Sequence, residues 1–479
     1  MPGLLVAVLL IFSFVMVHLW MRRRPLPRDK PLNVDEGLPL PELAQSSTVF
    51  SLTALFGAYF GIALVLGLFA LLGLACGTTL GLLIVSYWIN SRYWVRTKGK
   101  KTFEGFLSGV FDGNETNYLV FACVISLVQC AYATSELLIL RELAKVALGL
   151  KYQQATLLAI LVAIIGYFYV LRGGYLAVFR TDVIQLGLVV TMALASGAFL
   201  LRYSTVHWSS KVYSQPGFWE LAPLGSSGWL HAYHFLIALV MGLGFMLASP
   251  DTWKRVFQVF MRDTGPRLRS VSLVGAGTLP YLVLFPFAIT LSLNPDDRVK
   301  TGFMTATSLS GNLIFTAASL GLIASFLSSF NSAMLASAHV QLIVYRKNRE
   351  VDSERLRFYW IMIAVLFVIW LLFEFGVRFK YNNPWLLGNF LMGAYAAIGG
   401  IQVGTRGDLK RLPQYGVAII FFLAMLFWVM YFGSKLDALR TPTIYSVNTV
   451  PIGVLVFFGT AFLSLAAILI RRWKRVLRR

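Results

Sequence analysis

Long apolar runs alternate with short polar and basic clusters along almost the whole chain. Runs close to the roughly 20 residues that a bilayer-crossing helix needs occupy 4–20, 118–146, 155–171, 183–201, 231–249, 271–293, 313–344, 358–375, 384–403, 417–432 and 451–470. A longer block at 49–89 fits two more spans folded back near Gly67. The pattern predicts an all-α polytopic membrane protein with about 13 transmembrane helices.

Composition agrees with this and charge adds an orientation. Of 479 residues, 57% are hydrophobic and only 13% charged, with a mean hydropathy of +0.71. A net charge of +21 would suit a nucleic-acid binder, but here the basic residues sit in short clusters between apolar runs, as positive-inside topology requires. No basic residue precedes the first run and Arg22-Arg23-Arg24 follows it. That polarity is the reverse of a secretory signal, so the run is read as an uncleaved helix with its N-terminus outside. An odd number of spans then places the C-terminus inside, and the tail Arg471-Arg472-Trp473-Lys474-Arg475 reads as an anchor on anionic membrane lipids. Nucleic acid is not an expected partner. Cys76, Cys123 and Cys130 all lie in apolar runs, which indicates neither a disulfide framework nor a zinc site.

Polar residues inside spans are costly, so function is sought there. The run at 118–146 carries Gln129, Thr134, Ser135 and Glu136. Glu136 is the carboxylate placed deepest in the hydrocarbon, suited to a cation, a proton or a polar solute, or else held by a neighbouring helix. His18, His207, His231, His234 and His339 lie near predicted ends or in loops, so no catalytic or metal centre is predicted. Two spans carry interrupting glycines: Gly57, Gly61 and Gly67 in one, Gly242 and Gly244 in the other, before Ser249-Pro250. They lie five helices apart. Tight packing alone explains small residues, but paired interruptions at this separation also suit the discontinuous helices of inverted-repeat transporters. On that reading Gln129, Ser135, Gly242 and Gly244 line a substrate site.

The stretch Gly173-Gly174-Tyr175-Leu176-Ala177-Val178-Phe179-Arg180-Thr181-Asp182-Val183-Ile184-Gln185 reads first as a cytoplasmic hairpin between two spans. Its loop is basic, and Thr181 or Asp182 is placed to cap the incoming helix. Its wording also resembles the signature of the sodium:solute symporter family. Two further stretches are similar to that family: Gly242-Leu243-Gly244-Phe245 with Pro250, Trp253 and Arg255, and Ala324-Ser325-Phe326-Leu327-Ser328-Ser329-Phe330-Asn331-Ser332.

The resemblance implies a core of five plus five helices in the inverted-repeat architecture named after LeuT, with one extra helix before it and two after it. The corresponding divisions are 1–46 (extra helix and linker), 47–202 and 203–412 (the two repeats) and 413–479 (two helices and the basic tail). It also implies a coupling-ion site. Thr53 and Phe56 would offer carbonyls from the first core helix, Gly321 a carbonyl from the eighth, and Ser325 a hydroxyl. The second expected hydroxyl is replaced by Ala324, so Ser328 or water would have to compensate. Asp182 aligns with the acidic residue implicated in coupling and gating.

The expected function is secondary active transport, with cation-coupled uptake of a small organic solute by alternating access in a bacterial inner membrane. The protein is not expected to be an enzyme and needs no cofactor. Sodium is the default coupling ion, with protons carried by Glu136 or Asp182 as the alternative, and an uncoupled carrier or a non-transporting sensor or partner as the further one. Few buried charges favour a neutral or zwitterionic solute.

Overall fold

The computed structural model describes residues 68–96, 115–147, 150–207, 228–260, 312–346, 354–378, 384–433 and 451–477, with a few positions between 273 and 281. The predicted first span, the linker after it, and the candidate ligands Thr53 and Phe56 lie outside the described residues, as does most of the span predicted at 271–293. Among the described residues the structure is all-helical. In chain order the helices are α1 (Leu68–Arg96), α2 (Glu115–Ala147), α3 (Tyr152–His207), α4 (Gly228–Ala248), α5 (Pro250–Phe260), α6 (Asn312–Arg346), α7 (Glu354–Arg378), α8 (Pro384–Thr405), α9 (Gly416–Gly433) and α10 (Pro451–Leu477).

The surface is apolar where a soluble protein would be polar. Ile419, Phe422, Leu426 and Met430 of α9 and Phe458, Phe462 and Leu469 of α10 are exposed, while serines, carboxylates and the basic residues Arg141, Lys254 and Arg255 lie inside. Four windows are long and apolar enough to cross a bilayer among the described residues, at Leu72–Ile89, Thr116–Leu138, Arg357–Glu374 and Gly453–Lys474. This is an integral, multi-pass membrane protein.

With lipid outside there is little hydrophobic drive between helices, so small residues that let backbones approach decide the contacts. Gly73, Gly77 and Gly81, four apart on one face of α1, sit against Phe235, Leu239 and Met246 of α4, and an added Cβ at the first two would land on a carbonyl oxygen. Gly242 meets the same seam from the other side, its Cβ position 2.8 Å from the Leu74 carbonyl oxygen. Gly244 faces α8, where the Tyr395 carbonyl oxygen is 3.1 Å from its Cβ position. The interruption expected at Gly242 and Gly244 therefore falls elsewhere. Helix α4 runs unbroken through both glycines and stops at Ser249. The reason is the proline: Pro250 cannot donate into the helix before it but is well suited to the first position of a new one.

Helix α6 is the buried axis of the bundle, enclosed on most sides from Leu320 to Val340 and packed chiefly on α2 and α3. Its register on α2 is held by a reciprocal serine clasp. Ser126 Oγ donates to the Ser337 carbonyl at 3.0 Å, and Ser337 Oγ to the Ser126 carbonyl at 3.2 Å.

Helix α3 corrects a second expectation. The two spans predicted at 155–171 and 183–201 are not joined by a loop: the helical backbone is broken only at Gly174, with φ 51° and ψ −141°, a conformation open to glycine and little else. Helix resumes at once with Tyr175, so Thr181 and Asp182 stand inside the second segment and cap nothing. Thr181 Oγ1 donates back to the Val178 carbonyl at 2.8 Å, and the Asp182 carboxylate is turned toward other helices.

Candidate functional site

Two buried polar clusters lie along α6. The first is organised by α5, a short helix started by Pro250 and carrying Asp251 in its first turn, where the positive end of the helix dipole favours a carboxylate. The corner between α4 and α5 is closed by Trp253, whose Nε1 donates to the Leu247 carbonyl left open at the end of α4, at 2.9 Å. This sets the register that aims Arg255 inward, one turn after Asp251.

Arg255, Asp182 and Asp251 are all but fully enclosed, at 2%, 0% and 2% exposure, so each charge depends on the others. Arg255 Nε donates to Asp251 Oδ2 at 2.8 Å, and its two terminal nitrogens both reach Asp182 Oδ2 at 3.2 Å. Nη2 also donates to Ser332 Oγ at 3.1 Å. The other carboxylate oxygen of Asp182 accepts a 2.6 Å bond from Ser328 Oγ. Burial pushes the Asp251 carboxyl above the ordinary carboxylate range, and Arg255 pulls it back. Beside this group Lys254 Nζ lies 3.9 Å from the centre of the Tyr175 ring, and the Tyr175 hydroxyl is 3.2 Å from His339 Nδ1. Two carboxylates and two basic groups therefore fill the cluster, and one side chain, Arg255, ties α3, α5 and α6 together.

The second cluster surrounds Glu136 on α2. Glu136 is 1% exposed and neither of its oxygens accepts a hydrogen bond. The Tyr132 hydroxyl one turn back lies close enough to interact but outside hydrogen-bonding geometry. The Tyr132 ring meets Phe245 of α4 at 5.8 Å and Tyr395 of α8 at 6.3 Å between centroids, and Phe245 meets Tyr395 at 4.8 Å. Gln129, on the same face of α2, lies beside the Tyr395 hydroxyl.

The sequence-predicted residues divide between these clusters. Asp182 and Ser328 are brought into direct contact. Gly321 is buried on α6, one turn before the equally buried Ala324. Ser325 belongs to α6, but its side chain lies outside the described residues. Gln129 and Glu136 share the second cluster. Ser135 bonds back to its own helix, Oγ to the Tyr132 carbonyl at 2.7 Å, and Gly242 and Gly244 contact helix backbone. Sequence reasoning quoted Arg255, Ser332 and Phe245 only within family-like stretches and gave them no role, and it did not name Asp251, Tyr132 or Tyr395. Asp251 and Arg255 had a legible signal, an Asp and an Arg one turn apart just after a proline. The rings had none, since a Tyr or Phe in an apolar run reads as core.

Comparisons with known proteins bear on the fold and the family. Residues 45–212 match the model of the sodium:solute symporter family, so the resemblance of the signature stretch to that family stands. No curated protein matches the sequence. Among solved structures, a Na+-coupled sialic acid symporter in a substrate-bound, outward-open state shares the fold at a TM-score of 0.64 and 11% identity, over 98% of each chain. Mhp1, a nucleobase-cation-symport-1 family transporter in a closed conformation with bromovinylhydantoin bound, does so at 0.50 and 11%, over 89% of this chain and 92% of its own. The chain thus shares the fold of these transporters, and residues 45–212 match the family model.

Proposed function

We propose that this protein is a cation-coupled symporter of a small organic solute, resident in a bacterial inner membrane, and that the Asp182–Arg255 pair is its inner gate. The observation that supports this reading most strongly is the three-helix clasp through Arg255. Arginine clusters along the chain put this end of the bundle on the cytoplasmic side. The repeats at 47–202 and 203–412 supply the two halves whose relative rocking opens one side and closes the other. Opening inward separates α5 from α3 and α6, and that separation breaks the contacts of Arg255 with Asp182 and Ser332.

Ser328 is the link to the coupling ion. Sodium held by Ser325, Ser328, the Gly321 carbonyl and the carbonyls of Thr53 and Phe56 would take lone pairs of the Ser328 oxygen and make its hydroxyl a stronger donor to Asp182. Ion occupancy would then stabilise the latched arrangement, and ion release would loosen it. Ala324 supplies no oxygen, which makes for a weak site and places coupling at high sodium concentration. Proton coupling is the second reading, favoured by the buried carboxyl of Glu136, which accepts no hydrogen bond among the described residues.

The test is solute uptake into sealed proteoliposomes under imposed sodium or proton gradients. Sodium-driven accumulation that falls steeply in Ser328→Ala and Asp182→Asn is the expected result. Accumulation driven by protons alone and lost in Glu136→Gln moves coupling to that carboxyl. Solute binding without accumulation under any gradient makes the protein a sensor or partner with a transporter fold.

A further inference from the structure

We propose that the Glu136 cluster is a recognition site for an alkylated ammonium group, so that the transported solute is an organic cation. This rests on the transporter reading for the role of the site, while the recognition chemistry stands on the residues themselves. Among the described residues Glu136 accepts no hydrogen bond and makes no ion pair, and it is 1% exposed. An unpaired charge at that depth is expensive and wants a cation. Around it stand the rings of Tyr132, Phe245 and Tyr395, contributed by three different helices with centroids 4.8–6.3 Å apart.

A carboxylate beside several aromatic faces is a poor home for most solutes and a good one for an ammonium whose nitrogen is wrapped in methyl groups. The charge is met by the carboxylate and the negative faces of the rings, and the methyls are met by dispersion. Among the described residues no basic side chain lies in the cluster, so a carboxylate or phosphate on the solute would meet repulsion there. Sodium and other small metal ions are equally disfavoured, because one carboxyl and a few hydroxyls give too few hard oxygens. The rings now pack edge to face on one another, so an entering ammonium parts them, and α4 and α8 must shift slightly at their close contact through Gly244 and Gly399, whose Cβ position is 2.6 Å from the Gly244 Cα. Occupancy of the site and the position of α4, which leads directly into the gate helix α5, are thereby linked.

The test is binding to the full chain in lipid nanodiscs, using choline and tetramethylammonium as probes and 3,3-dimethyl-1-butanol as the uncharged carbon counterpart of choline. Saturable binding of both cations, at least about tenfold tighter than the uncharged counterpart, is expected, with that preference erased in Glu136→Gln and binding weakened in Phe245→Leu. Equal affinity for choline and its uncharged counterpart overturns the proposal, as does a cation preference that survives Glu136→Gln. Uptake separates this from the broader reading. Accumulation of uncharged solutes that organic cations do not inhibit removes the ammonium site and leaves the transporter. Cation binding without accumulation under any gradient supports the site and removes transport.

Discussion

Arg255 is the residue on which its end of the bundle depends. It bridges Asp182, Asp251 and Ser332, which stand on three different helices. Removing a partner from a buried charge group costs more than the pair itself contributes, because the remaining charge is left without compensation. Arg255→Leu strands two enclosed carboxylates and is expected to lower stability by ~3–5 kcal/mol, read as a fall in the thermal midpoint in detergent. Arg255→Lys keeps the charge but not the fork that spans both carboxylates, so it should fold and lose coupling. A transport defect in Arg255→Leu with an unchanged midpoint would show that the clasp is not structural in this state.

At the scale of elements, glycines decide which helices touch. Gly77 allows the backbones of α1 and α4 to meet, and a side chain there would collide with the Leu239 carbonyl. Gly77→Val is expected to cost on the order of 1–3 kcal/mol through overpacking, whereas Gly187→Ala, with nothing within 4 Å of the added Cβ, should leave the thermal midpoint unchanged. Comparable losses for both would mean that contact at the α1–α4 seam is not the cause, since Gly to Ala in a helix interior favours the helix. Gly174 acts differently, through its φ of 51°, which other residues reach only with strain. Gly174→Ala is therefore expected to lower the midpoint too, by about 1–2 kcal/mol.

For the whole molecule the prediction concerns access. If the Asp182–Arg255 clasp closes the inner side, a cysteine at Ser332 is shielded. Ser332→Cys, in a background where Cys76, Cys123 and Cys130 are replaced, should react slowly with a membrane-impermeant thiol reagent applied from the basic face. Adding Arg255→Leu should make it react quickly from that face and not from the other. Fast labelling in the presence of Arg255 would place the closed gate elsewhere.

What the chain determined by itself was whatever follows from local pattern. Apolar runs of bilayer length identified the spans that the structure describes, basic clusters suggested their orientation, and the stretch ending in Thr181-Asp182-Val183-Ile184-Gln185 pointed to the family whose model matches residues 45–212. The buried carboxylate of Glu136 was visible because an acidic residue inside an apolar run is costly and rare, whereas Asp182 read as a helix cap and stood out only through the family resemblance. What only the tertiary structure decided was partnership. Asp182 meets Arg255 across 73 positions and Ser328 across 146, and Tyr132, Phe245 and Tyr395 converge from three helices. Contacts between distant positions depend on which helix faces pack, and that is set by glycine seams and by the break at Ser249-Pro250. Hydropathy cannot report it, since a ring facing lipid, a ring in the core and a ring lining a site all read alike in an apolar run.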